Sequence, residues 1–382
     1  MTPAIEGPRL IRPGEFRETM TLTERCFGFE RGGLERRMPH CFDETRPNRH
    51  AVVTCDGDIV SHVACVPAEL RAGSATVACY GIAGVATDPD HRGNGYMTQL
   101  LEFWLDRLDS QDVPLAELEG DRLGYGRFGW ENAGREDRYR ITRRSFTADP
   151  AGSADIRQYR RRTDLELITD IHERERYRIT RTDRGYERLL GQRDLEILVY
   201  DGDRPAYLAY RGTDPASVLE FGGSREGVTT LFGSVLETEA ELEVFTHPHH
   251  PLVPSFCDLA IDWETRPHRK LNILDLLATL EAYEPLLAER WATVDDDFGC
   301  PSGAVTLAVE GLETTDAVTV AYDATGVHVE RTTREPDVVL DRRTMTRLLF
   351  GSPDACWPIR RSRPFLRAVL PLEYYFWQTE TI

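Results

Sequence analysis

The chain has 382 residues, 41% of them hydrophobic and 29% charged, and a formal net charge of −18. That length exceeds one ordinary core and calls for two or three domains, while the apolar content is that of a globular protein and excludes a disordered one. The acidity argues against nucleic acid or an anionic membrane as the main partner.

Residues 14–28 carry Phe16, Met20, Leu22, Cys26 and Phe27 in a helical pattern and lead into a charged loop at 30–37. Segments 51–54 and 59–66 flank Asp56-Gly57-Asp58, a hairpin signal. A further strand region, 70–79, turns at Ala72-Gly73-Ser74. An apolar strand at 82–87 then enters a turn, Asp88-Pro89-Asp90, and a loop with two glycines, Arg92-Gly93-Asn94-Gly95. The helix that follows has one apolar stripe: Met97, Leu100, Leu101, Trp104, Leu105 and Leu108. After a strand at 113–118 comes Gly124-Tyr125-Gly126-Arg127-Phe128-Gly129-Trp130, and 138–142 is expected to close a first α/β unit, residues 1–150.

The small, polar stretch 147–153, with Pro150 and Gly152, reads as a linker. Beyond it the pattern predicts helix over 165–190, a hairpin over 194–210 around Asp201-Gly202-Asp203-Arg204, helix over 228–237, and strands at 241–245 and 256–261. This second α/β unit, residues 151–270, repeats the order of the first without its glycine loop. A third unit, residues 271–382, starts with an amphipathic helix over 271–288. It continues with alternating strands at 303–309, 317–322 and 327–331, turning at Glu310-Gly311 and at 324–326, then 338–340 and a helix over 342–350. The tail, 364–382, is rich in aromatics (Phe365, Tyr374, Tyr375, Phe376, Trp377) and is expected to dock inside rather than lie in water. The fold class is therefore α/β (α+β) in three units.

The eight cysteines include no C-x-x-C pair, and most lie in apolar strand-like runs such as Val63-Ala64-Cys65-Val66. They read as reduced core residues, not as disulfides or a zinc site. The start of the chain lacks the apolar core of a secretory signal, and the apolar stretch 271–280 is short and carries Asp275. Lys270 is the only lysine among 46 basic residues, a coat suited to a salt-rich cytoplasm. A cytoplasmic location with no membrane partner follows. His247-Pro248-His249-His250 invites a metal reading, but its prolines put it in a loop without the helical spacing of a ligand pair, and no metal is expected.

The chemistry concentrates on the glycine loop. A strand feeding such a loop at a helix start holds anions, because the first helical N–H groups lack internal partners and the helix dipole favours negative charge there. Arg92 adds a positive charge. A plain tight turn is the bland alternative, but the flanking strand and amphipathic helix supply the context that gives the motif a mechanism. No Gly-Lys-Ser/Thr follows, and the motif lies after antiparallel hairpins, so neither a Walker loop nor a dinucleotide fold fits.

Arg92-Gly93-Asn94-Gly95 with its strand and helix resembles the coenzyme A loop of the Gcn5-related N-acetyltransferase superfamily. The run Tyr125-Gly126-Arg127-Phe128-Gly129-Trp130 resembles the enhanced-intracellular-survival type. In that type an acetyltransferase domain is followed by a degenerate second one and a domain like sterol carrier proteins, the order of the three units above. The resemblance implies that Val85, Ala86 and Thr87, with Arg92, Gly93, Asn94, Gly95, Tyr96, Met97 and Thr98, bind acetyl-CoA, and that Gly120 and Asp121 stand where the subfamily has Ser-Glu. It implies that Gly84 suits a bulge in the strand, and that Tyr125 donates a proton to the leaving thiolate. The carboxylate of Ile382 would accept the proton of the amine. It implies a homo-oligomer, a hexamer in the family. Met97 departs from the superfamily's small residue, and the polar ending Gln378-Thr379-Glu380-Thr381-Ile382 departs from the subfamily's aromatic one.

The reading is an acetyl-CoA-dependent N-acetyltransferase acting by direct attack on primary amines of cationic acceptors, aminoglycoside-like compounds or lysine side chains. Glu30, Glu35 and Asp43 are candidates for an acidic amine pocket. Its rivals are a non-catalytic acyl-CoA or lipid-binding protein and an assembly or regulatory protein on the same scaffold.

Overall fold

The computed structural model describes residues 3–146, 155–294, 302–310 and 317–382. The expected linker at 147–153 lies outside the described residues, as do Cys300 and Gly311. Among the described residues, apolar alternation and helical stripes resolve into three mixed sheets covered by helices.

The first part of the chain forms β1 (Ile5–Leu10), α1 (Phe16–Phe27), α2 (Gly33–Arg37), β2 (His50–Cys55), β3 (Asp58–Ala72) and β4 (Ala75–Thr87). Then follow α3 (Tyr96–Asp109), β5 (Leu115–Leu118), α4 (Arg122–Gly126) and β6 (Glu131–Ala133). The helix α1 stops at Gly28, whose φ of +75° ends the helix in a left-handed turn. On α3 the expected stripe is the buried one. Leu100, Leu101, Trp104 and Leu108 sit in the core beneath the sheet, and the Trp104 indole N–H donates to the Val63 carbonyl at 3.1 Å. Each such side chain contributes about 1.5–3 kcal/mol on burial.

The second part forms β7 (Glu136–Thr142), β8 (Ile156–Gln158), α5 (Arg161–His172), β9 (Tyr177–Ile179), α6 (Asp183–Leu190) and β10 (Glu196–Tyr200). It continues with β11 (Ala206–Arg211), β12 (Ala216–Gly223), α7 (Arg225–Thr238), β13 (Glu241–Thr246), α8 (Val253–Leu259), β14 (Asp262–Arg266) and β15 (Arg269–Ile273). The third part forms α9 (Leu276–Trp291), β16 (Gly303–Val309), β17 (Ala317–Asp323), β18 (Gly326–Thr332), β19 (Val338–Leu340), α10 (Arg342–Phe350), α11 (Trp357–Arg361) and α12 (Pro364–Val369).

The sheets do not follow the chain's order. The first sheet runs β1-β2-β3-β4-β5-β15-β6, with β9 added to the far end of β3; the second runs β14-β7-β13-β12-β11-β10-β8; the third runs β18-β17-β16-β19. Each contains one parallel pair, β4 with β5, β12 with β13, and β16 with β19. The strand expected to close the first unit at 138–142 is therefore β7, inside the second sheet. The expected division between residues 270 and 271 falls within β15, which returns to the first sheet between β5 and β6.

Four element expectations change. The charged loop expected at 30–37 closes in the short helix α2, Gly33–Arg37. The long helix over 165–190 is two helices with β9 between them, because Tyr177–Ile179 pairs with Leu70–Ala72 of β3 and long-range pairing overrides local propensity. The strand expected at 256–261 is α8, opened by Pro254; Leu252, Phe256 and Leu259 are all buried, a helical spacing. The helix expected from 271 starts at Leu276, since Asp275 caps it by accepting from the Ala278 N–H at 2.9 Å. The tail docks as expected. Tyr374, Tyr375, Phe376 and Trp377 are 1–2% exposed and belong to the core cluster that joins all three parts.

Candidate active site

Strand β4 keeps its partner β3 along its whole length, but its pairing with β5 extends only from Cys79↔Leu115 to Ile82↔Leu118. Beyond Ile82 that edge of β4 runs on without a strand neighbour among the described residues, which opens a cleft between two parallel strands. Gly84, at φ +58°, lies where the β3–β4 register shifts, as its expected bulge requires. After the turn, Gly93 and Gly95 have φ of +82° and +80°, and nothing lies within 4 Å of the side chain either would carry. Gly95 is the N-cap of α3 and no side chain caps that helix. The first-turn N–H groups are thus left to an outside acceptor, with the helix dipole behind them.

A depression of about 460 Å³ lies over this helix start, and Val85, Thr87, Arg92, Gly95, Met97 and Thr98 line it, with Gly93 and Tyr96 beside them. Arg92 is held by its Nε–H, which donates to the Thr87 carbonyl at 3.3 Å. The other expected cofactor residues do not line it. Ala86 is buried and its carbonyl accepts from the Ser61 hydroxyl at 3.0 Å. Asn94 braces the loop, donating to the His91 carbonyl at 2.9 Å. Gly120 faces the Tyr125 ring so closely that a Cβ would sit 2.5 Å from it, and Asp121 caps α4 by accepting from the Gly124 N–H at 2.6 Å. Those two residues position Tyr125. The sequence reading missed Arg127, which lines the depression and donates to Thr98 Oγ1 at 3.0 Å. Its signal was its place inside the Tyr125–Trp130 motif.

Tyr125 is half-buried on α4, edge-on to the Trp130 ring at 6.4 Å. Since β5 ends at Leu118 and Gly120 touches the Tyr125 ring, the phenol stands at the end of β5 where it parts from β4. Burial, with the Asp121 charge second, raises its pKa above the ordinary phenol value, so it keeps its proton at neutral pH.

A second cavity of about 290 Å³ lies at the paired end of β4, bordered by Gly81, Glu117, Tyr374, Phe376, Glu380 and Ile382. Gly81 and Glu117 face each other in the β4–β5 register, one residue before the strands part. The Ile382 side chain lies on Gly81, where a Cβ would come within 2.0 Å of Ile382 Cδ1. Glu117 was not singled out in the sequence, although a lone acid inside the apolar stretch 113–118 was its signal. It is buried, its Oε2 accepts no hydrogen bond, and Arg269 Nε is 3.9 Å away, too far to donate. Burial pushes its pKa up to about 7, opposed by Arg269. Glu380, also raised by burial to about 7, is bonded to Arg181 at 2.7 Å.

The expected acidic lining is absent from this cavity. Glu30 pairs with Arg36 and Arg193, Glu35 with Arg17, and Asp43 with Arg188. The His247 cluster is structural in character: His247 Nε2 and Glu373 Oε2 are 3.1 Å apart, and Glu373 also pairs with Arg135 and Arg290. Among the described residues no helix is long and apolar enough to cross a membrane.

Residues 8–133 match the family model described as an acetyltransferase (GNAT) domain. No curated protein matches the chain. A conserved protein of unknown function from Enterococcus faecalis V583, described as a "probable N-acyltransferase", is similar over 98% of this chain and 100% of its own, with a TM-score of 0.75 at 16% identity. A GCN5-related N-acetyltransferase from Kribbella flavida covers 98% and 99%, with a TM-score of 0.69 at 18% identity. Eis1 from Mycobacterium abscessus covers 99% and 98%, with a TM-score of 0.66 at 17% identity. The chain has the fold of these structures from end to end, and the domain match supports an N-acetyltransferase.

Proposed function

We propose that the chain transfers the acetyl group of acetyl-CoA directly to a primary amine. The observation that carries this reading is the parted β4–β5 edge ending in an uncapped helix start flanked by Arg92 and Arg127. The free edge from Ala83 to Thr87 offers backbone hydrogen bonds to a pantetheine arm and to the thioester carbonyl, and the helix start with its two guanidiniums suits the pyrophosphate. The neutral amine attacks the carbonyl carbon; the C–N bond forms, the C–S bond breaks, and Tyr125 gives its phenolic proton to the thiolate. The proton lost by nitrogen passes to Glu117, and Tyr125 is reprotonated through solvent. Glu117 suits that role because its Oε2 takes no hydrogen bond, it lines the second cavity and burial pushes its pKa up to about 7. Ile382 borders the same cavity, which supports a second reading in which its carboxylate takes the proton, directly or through water.

The second sheet repeats the strand–helix–parallel strand unit as β12, α7 and β13, but there Ser224 caps the helix, accepting from the Gly227 N–H at 3.1 Å. That supports a second, degenerate acetyltransferase-like domain without a cofactor site. The four-stranded third sheet with α9 is read as the sterol-carrier-like domain, and the assembly as a homo-oligomer working in the cytoplasm, where acetyl-CoA is supplied.

Calorimetric titration with acetyl-CoA followed by a thiol-release assay over an amine panel tests the proposal. Saturable binding and amine-dependent thiol release are expected. Binding without release from any amine favours the non-catalytic acyl-CoA-binding alternative, and no binding sinks both. Residues appended after Ile382 separate the two proton acceptors: unchanged turnover leaves Glu117 alone.

A further inference from the structure

Five arginines, Arg46, Arg49, Arg181, Arg184 and Arg188, line the cavity that holds Glu117 and Ile382. Two of them are neutralised. Arg181 is buried between Glu220 and Glu380, both at 2.7 Å, and Arg188 pairs with Asp43 at 2.5 Å. The other three, Arg46, Arg49 and Arg184, make no ion pair among the described residues; the Arg49 Nη1–H donates only to the His40 carbonyl at 3.3 Å. Burial, with the charges of Arg46 and Arg188 adding to it and that of Asp43 opposing it, holds Arg49 below its ordinary pKa. The acids on the wall do not balance them: Glu117 and Glu380 sit near 7, Glu380 already belongs to Arg181, and the Ile382 carboxylate is one charge against three. In a chain of net charge −18, a recess with three guanidiniums outside any ion pair, beside the proton acceptor, is an inversion of sign.

Resting on the acetyltransferase reading above, we propose that the acceptor is an amine that also carries an anionic group, a carboxylate or a phosphate. The anion sits on Arg46, Arg49 and Arg184, and the amine reaches toward Glu117 and the parted strands. Guanidinium forks recognise planar carboxylates and phosphate oxygens bidentately, and the chain's net charge of −18 repels the same anion at a distance, so selection depends on the recess itself. A polycation meets charge of its own sign here.

The test uses the full chain saturated with coenzyme A and four probes: 4-aminobutanoate, 2-aminoethyl phosphate, 1,4-diaminobutane and butylamine. Calorimetry should find at least one anionic amine bound tenfold or more tighter than the diamine, and the two anionic probes decide between carboxylate and phosphate. Arg46 and Arg184 are exposed, so R46Q and R184Q should fold; titration with acetyl-CoA checks this. The anionic advantage should collapse in the double variant and reverse in R184E. Equal or tighter binding of the diamine, no binding of either anionic amine, or an advantage that survives the substitutions would overturn the proposal. Selective binding without thiol release from any probe would sink the transferase reading and leave only the anionic-amine binding site standing. Thiol release with the diamine alone would do the opposite.

Discussion

At the scale of single residues, the site depends on two groups whose surroundings push them in useful directions. Burial keeps the Tyr125 phenol protonated, as a proton donor must be. Tyr125→Phe should therefore lower turnover by about 10²-fold or more, with acetyl-CoA affinity kept, because general acid catalysis is worth that much. Unchanged turnover would remove the phenol from the reaction. Burial also brings Glu117 to about 7, so kcat/KM should rise with pH through that value, and Glu117→Gln should flatten the rise. The same shift has a sign in stability. Between about 4.5 and 7 the folded chain keeps a proton that the unfolded chain has released, so this group's contribution is lost as pH rises through that window. Glu117→Gln should accordingly melt no lower than wild type at pH 8, and a lower melting temperature would contradict a burial cost. Tyr125 was legible in the sequence because its neighbours form a motif. Glu117 was not, because a charged residue in a short apolar strand gains meaning only when the register sets it against Gly81 at the point of parting.

At the scale of elements, the glycine loop was the most legible part of the chain, since its function is local: strand, left-handed turn and helix start are consecutive. Arg127 belongs to the same depression but reaches it from α4, and no local pattern announces that. Arg127→Gln should raise the KM for acetyl-CoA roughly tenfold with kcat little changed, a charge-assisted hydrogen bond being worth about 1.5–3 kcal/mol. Isothermal titration with coenzyme A checks it, and an unaltered affinity would place the phosphates elsewhere. The misread elements share one cause. β9, α8 and β15 are short, and each owes its form to a distant partner: β9 to Leu70–Ala72, β15 to β5, and α8 to the core around Phe256. The arginine-lined recess was illegible for the same reason, since it draws residues from near 46 and near 184 that only the fold brings together.

At the scale of the whole molecule, the tail is the joint. Glu373 meets Arg135, Arg290 and His247; Thr379 and Glu380 join the Arg181–Glu220 pair; the Tyr374 hydroxyl is 3.2 Å from Cys79 Sγ in the first sheet. Burial holds several histidines down to about 4, among them His40, His247 and His268 beside the tail and His50 in the first sheet, and it holds His62 and His172 well below the ordinary value. Unfolded histidine takes a proton near 6.5, so stability should fall as pH drops from that value toward 4. Glu35, Glu117 and Glu380 act the other way over part of that window, but they are three groups against six. The urea midpoint should thus be clearly lower at pH 5 than at pH 7; an equal or higher one would mean the histidines are not buried as neutral rings. The exchange of β7 and β15 between sheets also bears on how the chain is made. When residues 1–146 have left the ribosome, β7 waits for a sheet that does not yet exist, and β5 has an open edge until residue 273 emerges. A fragment ending at 146 should be insoluble when expressed alone, since exposed strand edges seek other chains. The domain synthesised first is completed late, and its nascent form needs shelter until the chain comes back to close it.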